Sequence, residues 1–403
     1  MRTYQSRLLS CLLILSLLLL PVFIPSASAA VLKDNPSLYQ GYHRLAESEG
    51  GFYYLSGGLL HYVNTQYQLS TVLSASGASD LELRENRSLR HASDAYFPGA
   101  SCVFYLEQVI YVLCQENVAG NEWALFSLPE EGGLRKRLCT FYAETGHAAL
   151  LNGKIYTVCT EYNALNQGVR YIEGYDIKNA GKTEKMPFPD MEGAGFQEIA
   201  IQRIIPWQNR LYMDLIILSE EGILPRLLAF DPFDNQASLI DTQAILPEAD
   251  LVSQAVTFHQ DKILFNLLPK SYTEQSEVVV YAADANGQQG ASYETLPFSR
   301  NMLSNGEQIV IVPPAIAFLF QSGLLEMADP HAHPPLQVSS YQGGEISPIF
   351  TIDPVDLHMD GRFICLSSTG ELFLTQDEGL YLDLITPEGL VNFLAVEDIN
   401  QVN

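Results

Sequence analysis

A short pattern recurs along this chain and limits its fold more than any other feature. A polar turn built from Asn, Asp, Gln or Gly leads into an apolar run with an aromatic or aliphatic anchor. It reads Gly51-Phe52-Tyr53-Tyr54, then Gln108-Val109-Ile110-Tyr111, then Asn152-Gly153-Lys154-Ile155-Tyr156. It continues as Asn209-Arg210-Leu211-Tyr212, Asp261-Lys262-Ile263-Leu264 and Gly306-Glu307-Gln308-Ile309-Val310. The last copy is Asp360-Gly361-Arg362-Phe363-Ile364. The anchors recur at intervals of roughly fifty residues. Several copies supply a further apolar run, at 123–128, 169–175, 227–230 and 278–281. Two of these end at an Asp turn, Tyr175-Asp176 and Phe230-Asp231-Pro232. Helical periodicity is rare, so the whole reads as strands and turns.

A repeat of this length holds about four short strands, and a single such sheet buries neither face alone. Packing the sheets side by side in a ring covers every face and leaves only short edges. The expectation is therefore an all-β protein, a seven-bladed β-propeller, with six or eight blades as alternatives. A β-solenoid fits poorly because the repeat is too long for one coil. A pair of sandwiches fits poorly because no linker divides the chain. Both ends leave choices open. Residues 42–46 can form the inner strand of the first blade, and 391–396 can close the ring by pairing with that blade. The last repeat can also be registered on Glu371-Leu372-Phe373 instead of Ile364.

The third repeat resembles a kelch repeat, through Asn152-Gly153-Lys154-Ile155-Tyr156, Tyr175-Asp176-Ile177 and Met186-Pro187-Phe188-Pro189. The fourth is similar through Leu211-Tyr212 and Phe230-Asp231-Pro232. Other copies depart from that pattern. The kelch glycine pair occurs only in the first repeat, at Gly57-Gly58, and the late Trp is missing, since the chain has only Trp123 and Trp207. The chain thus resembles a divergent, bacterial-type secreted propeller with kelch-like repeats in part. The resemblance implies a binding scaffold more often than an enzyme.

The first thirty residues read as a separate segment. Arg2 and Arg7 precede an apolar run over 8–20, Pro21 and Pro25 break it, and Ala27-Ser28-Ala29 offers a small-residue cleavage site. This is the pattern of a secretory signal peptide, and the run falls short of the ~20 residues that span a bilayer. The expected organisation is residues 1–30 as signal and 31–403 as one propeller domain, secreted or attached to the cell envelope. No membrane span is expected after cleavage. The chain carries 22 Lys+Arg against 47 Asp+Glu, a formal charge of −25, and loses two further positive charges with the signal. Nucleic acid and anionic lipid need clustered cations, so neither is an expected partner.

Chemistry is sparse. G-x-S-x-G, the P-loop and G-x-G-x-x-G are absent from the sequence. His331-Ala332-His333 has the spacing of two metal ligands on a strand, but Pro330, Pro334 and Pro335 make it a loop. Asp231/Asp234, Asp353/Asp356/Asp360 and Asp284-Ala285-Asn286-Gly287 are acidic clusters, the last starting like a calcium loop but reading better as a turn. Asn86-Arg87-Ser88 is one glycosylation sequon. Cys102 and Cys114 can face each other across a hairpin, yet buried free thiols are the preferred reading. No catalytic, cofactor-binding or metal residue is assigned, and no cofactor is expected. The expected function is an exported binding or protein-interaction module for a protein or glycan ligand. Its site would lie at the channel mouth or on the inter-blade loops 74–98, 183–198 and 329–347. The alternative is an extracellular glycan-active enzyme, a lyase or glycoside hydrolase, using carboxylates at the channel mouth.

Overall fold

The structure is a computed structural model. It describes residues 44–56, 58–67, 69–71, 87–116, 121–164, 168–179, 181, 183–189, 196–219, 222–240, 251–269, 277–287, 291–297, 301–313, 336–342, 345–352, 362–376, 381–386 and 389–392. The first meander is β1 (Leu45–Ser48), β2 (Gly51–Ser56), β3 (Leu59–Asn64) and β4 (Leu69–Thr71), paired in chain order. After a short helix α1 (Arg87–Ala92) come β5 (Ala100–Leu106), β6 (Val109–Gln115), β7 (Glu122–Pro129) and β8 (Lys136–Leu151). β9 (Lys154–Tyr162), β10 (Gly168–Asp176) and β11 (Thr183–Pro187) continue that sheet to seven strands. Four more four-stranded sheets follow. They are β12 (Phe196–Trp207) to β15 (Gln236–Ile240) by way of β13 (Arg210–Ser219) and β14 (Gly222–Asp231), then β16 (Leu251–His259), β17 (Lys262–Pro269), β18 (Glu277–Ala283) and β19 (Ala291–Pro297). The last two are β20 (Asn301–Ser304), β21 (Ile309–Val312), β22 (Leu336–Gln342), β23 (Glu345–Ile352), and β24 (Arg362–Leu366), β25 (Leu372–Gln376), β26 (Tyr381–Thr386), β27 (Gly389–Asn392).

β8 belongs to two meanders at once. Its first half pairs with β7 through Cys139↔Leu125 and Phe141↔Trp123, and its second half pairs with β9 through Ala148↔Thr157 and Leu151↔Lys154. Counted twice, β8 makes the described strands seven four-stranded meanders. The first strands lie beside one another, β1 by β5, β5 by β8, β8 by β12, β16 by β20 and β20 by β24. Apolar clusters fill the seams between successive sheets. Tyr53 and Leu60 pack with Val103 and Ile110, Tyr156 and Ile172 with Leu211 and Met213, and Trp207 and Tyr212 with Phe258 and Phe265. Leu264 packs with Met302 and Ile311, and Val310 with Leu366 and Leu374. Finally Leu45, Phe52 and Tyr54 of the first meander pack with Ile364, Phe373 and Leu384 of the last. The fold is a β-propeller, and its end sheets meet by packing.

The turns explain the repeat. At Leu106↔Val109 and Leu151↔Lys154 only two residues join the strands. Both lie in the left-handed region: Glu107 (φ 51°) and Gln108 (φ 63°), Asn152 (φ 51°) and Gly153 (φ 75°), and likewise Gln208 (φ 46°) and Asn209 (φ 61°). That geometry matches the right-handed twist of a hairpin. The Asp residues ending the third strands act alike. The Asp176, Asp231 and Asp284 carboxylates accept bonds from backbone N–H groups two or three residues on. The 284–287 cluster is therefore a turn, with Gly287 N donating to Asp284 O at 2.9 Å.

The structure bears on three sequence-based choices. β1 holds Leu45 and Ala46 as the inner strand of the first meander. β27 pairs with β26, Val391 opposite Leu384, and stands at the edge of the last sheet, while residues 393–396 lie outside the described residues. In the last repeat the anchor is Phe373 on the second strand, because Ile364 lies on the first strand β24. The runs at 123–128, 169–175, 227–230 and 278–281 are third strands, the first strand standing before each turn. Two expected loops are partly strand: 183–187 is β11, and 336–342 is β22. The signal segment, His331-Ala332-His333, Asn86 and Asp353/Asp356/Asp360 lie outside the described residues. The five described cysteines are free thiols. Cys102 pairs with Leu113 while Cys114 pairs with Ala100, so the hairpin register separates them. Among the described residues no helix is long and apolar enough to cross a membrane.

Candidate functional site

Five first strands carry a β-bulge against their second strands. The extra residues sit between Ala100 and Cys102, Ala143 and Ala148, Ile201 and Arg203, Ser253 and Ala255, and Phe363 and Cys365. Those of β5, β8 and β16 lie toward the end away from the turn, those of β12 and β24 lie near mid-strand, and β12 has a second at Phe196/Glu198, so the rim away from the turns is bulged. Bulges re-aim side chains at such rims and next to sites.

The largest bulge, Glu144 to His147, organises a charged cluster. Gly146 makes it possible: a Cβ there would lie 2.6 Å from the Ser101 Cβ and the Trp123 ring. Cys102 Sγ donates to Gly146 O at 2.9 Å, and Thr157 Oγ1 donates to His147 O at 2.8 Å. The Glu144 carboxylate accepts from Arg170 Nε at 2.6 Å and from Thr160 Oγ1. Arg170 Nη2 reaches Ile199 O on β12 at 2.9 Å, tying the third meander to the fourth. In the bulge of β12, Arg203 donates Nε (3.0 Å) and Nη2 (2.6 Å) to Asp214 Oδ2. The four charged side chains are 17–29% exposed. Pairs this close to water stabilise by about 1 kcal/mol or less, so their chief consequence is to fix orientation.

Around this cluster the rim is unusually apolar and aromatic. Tyr142 is 49% exposed, Tyr162 66% and Val169 53%. Tyr142 stands just before the bulge, and Tyr162 and Val169 flank the β9–β10 connection above Arg170. Flat rings beside fixed hydrogen-bonding groups are what a sugar or a peptide side chain needs for stacking and orientation. At the opposite rim Glu130 accepts from Tyr53 (3.2 Å) and Tyr105 (2.8 Å), and the two rings stack. Those groups satisfy one another.

His147 is held neutral. Burial lowers its pKa below the ordinary value, and the Arg203 charge lowers it further. Burial does the same to His259, whose Nδ1 lies 2.9 Å from Ser304 Oγ. Groups with a depressed folded pKa of this type contribute full stability above the unfolded value near 6.5 and lose it as pH falls toward the folded value. Urea midpoints are therefore expected to drop between pH 7.5 and pH 5.5. The double variant His147→Gln/His259→Gln should show a shallower drop, and an unchanged slope would contradict the assignment.

Sequence reasoning singled out none of these residues. The legible signal was Thr145-Gly146-His147 interrupting an otherwise strand-forming stretch. Among the described residues no group of three His, Cys, Asp or Glu is placed to hold a metal.

The molecule belongs to the class of β-propellers, with charged and aromatic side chains gathered on one rim. No protein-family model and no curated protein matches the chain. Among solved structures it is similar to the β-propeller domain of the Trilobed protease from Pyrococcus furiosus, at 13% identity and TM-score 0.44, over 73% of this chain and 84% of that one. It is also similar to TolB from Acinetobacter baumannii (12%, 0.37, 87% and 79%). A third is a polysaccharide lyase, a PL25 ulvan lyase (10%, 0.47, 90% and 96%).

Proposed function

We propose that this protein is an exported, seven-bladed β-propeller that acts as a binding module for a protein or glycan ligand. Each four-stranded meander is one blade, and the segment 1–30 directs export and is removed. The kelch-like features of the third and fourth repeats fit such a scaffold. The ligand lies across the bulged rim of blades two to four. The observation that carries this reading is the Glu144–Arg170 and Arg203–Asp214 network set among exposed Tyr142 and Tyr162. Its carboxylates are engaged by guanidinium groups, which suits recognition better than proton transfer.

The test uses the chain 31–403 on glycan and peptide arrays, with hits followed by calorimetry. Tyr162→Ala is expected to weaken a hit about fivefold or more, since ring stacking is worth about 1–3 kcal/mol, while leaving the fold unchanged. Hits that bind the variant equally well would refute this location. A glycan-active enzyme is the second reading, favoured by one observation, the neutral His147 beside Arg203. Turnover of an acidic polysaccharide that His147→Gln abolishes would establish it in place of the first.

A further inference from the structure

The seam between the fifth and sixth meanders differs from the others. Its apolar cluster is small: Leu264, Val280, Ala282, Met302, Ile309, Ile311 and Tyr341. Polar side chains share it. Thr257 Oγ1 donates to Met302 O at 2.8 Å, and His259 faces Ser304. Two further polar residues in this seam are fully buried. Asn266 lies two positions beyond Leu264 on β17, hence on the same face, and Ser339 lies two positions before Tyr341 on β22, again on the same face. Both are 0% exposed. Neither the Asn266 Oδ1 and Nδ2 nor the Ser339 Oγ has a hydrogen-bond partner in the protein.

Folded proteins leave very few buried polar atoms unbonded, because each forfeits its bonds to water with nothing in return. Two in one seam, Asn266 on β17 and Ser339 on β22, each need a partner. We propose that the seam is a binding site for ordered water, held by Asn266 and Ser339. The chemistry favours water over an ion. The amide and the hydroxyl each both donate and accept, so water can serve either of them. Among the described residues no group of three His, Cys, Asp or Glu is placed to hold a metal there. The consequence is a seam in which ordered solvent adds to the side-chain packing.

A crystal structure of the chain 31–403 at a resolution that shows solvent tests this directly, since the unaltered protein folds. The expected result is discrete solvent peaks 2.7–3.2 Å from the Asn266 amide and from the Ser339 hydroxyl. In Ser339→Ala the peak beside residue 339 should be lost while Asn266 keeps its position. A dry seam, with Asn266 and Ser339 bonded to each other or to protein groups, would overturn the proposal. So would a peak with six or more oxygen neighbours at about 2.4 Å, which would be a cation.

Discussion

Phe373→Ala is expected to lower the unfolding free energy by about 3–5 kcal/mol, the range for truncating a fully buried ring. Phe373 is 0% exposed and meets Phe52 edge to face at 4.9 Å. Those two rings join the last sheet to the first, together with Leu45, Tyr54, Ile364 and Leu384. Many ring folds lock their ends by lending a strand across the junction. Here β24 to β27 all come from the C-terminal side and β1 to β4 all from the N-terminal side. Among the described residues, side chains therefore carry the contact between the end sheets. A polar latch assists: Ser368 N donates to the Glu47 carboxylate at 3.1 and 3.2 Å, and Tyr67 OH reaches Glu371 Oε1 at 3.3 Å. The latch is wet, so Glu47→Ala should cost far less than the ring. Phe373→Leu, which keeps most of the apolar volume, should cost well under half of Phe373→Ala. Equilibrium urea unfolding measures all three, and a Phe373→Ala loss below about 1 kcal/mol would show that the closure rests elsewhere.

Glu173→Gln is expected to act in the other direction and raise stability at pH 8 by about 1–2 kcal/mol, by removing a buried carboxylate. Glu173 is 6% exposed on β10. Burial raises its pKa above the usual carboxylate range, and the Lys185 ammonium only partly offsets this. Its near neighbour is the Cys159 thiol, Sγ 3.7 Å from Oε2. Burial, with Glu173 behind it, pushes the Cys139 thiol up to about 12 and raises that of Cys159 as well. For an acid with a raised folded pKa the sign is clear. Its contribution is full below the unfolded value near 4.3 and is lost as pH rises through the folded value. The gain from Glu173→Gln should thus be near zero at pH 4 and grow toward pH 8. A gain independent of pH would mean that packing, not charge, is responsible.

The sequence carried the architecture well and the site poorly, for one physical reason. Turns and anchors are local: Asn152-Gly153 announces a hairpin because those residue types tolerate a positive φ. Glu107-Gln108 adopts the same conformation without the usual residue types, so only the periodicity located that turn. In the last repeat Asp360-Gly361 imitates the turn signal one strand too early, and the anchor moves to Phe373. The rim cluster is non-local. Glu144, Arg170, Arg203 and Asp214 come from four strands, and no spacing along the chain foreshadows their meeting. The bulges that bring them together add one to three residues, which a loose repeat absorbs without trace.

The sharing of β8 has a consequence for how such a ring can be cut. Elsewhere a connecting segment between meanders is a point where a nick, an insertion or a new pair of termini can be tolerated. Lys136 to Leu151 offers none, because every residue of that junction is inside a strand. Permuted chains cut within 136–151 are therefore expected to fold less stably than chains cut between other meanders, which urea unfolding measures. Any shortening or duplication of this chain by whole repeats has to pass on either side of the second and third meanders.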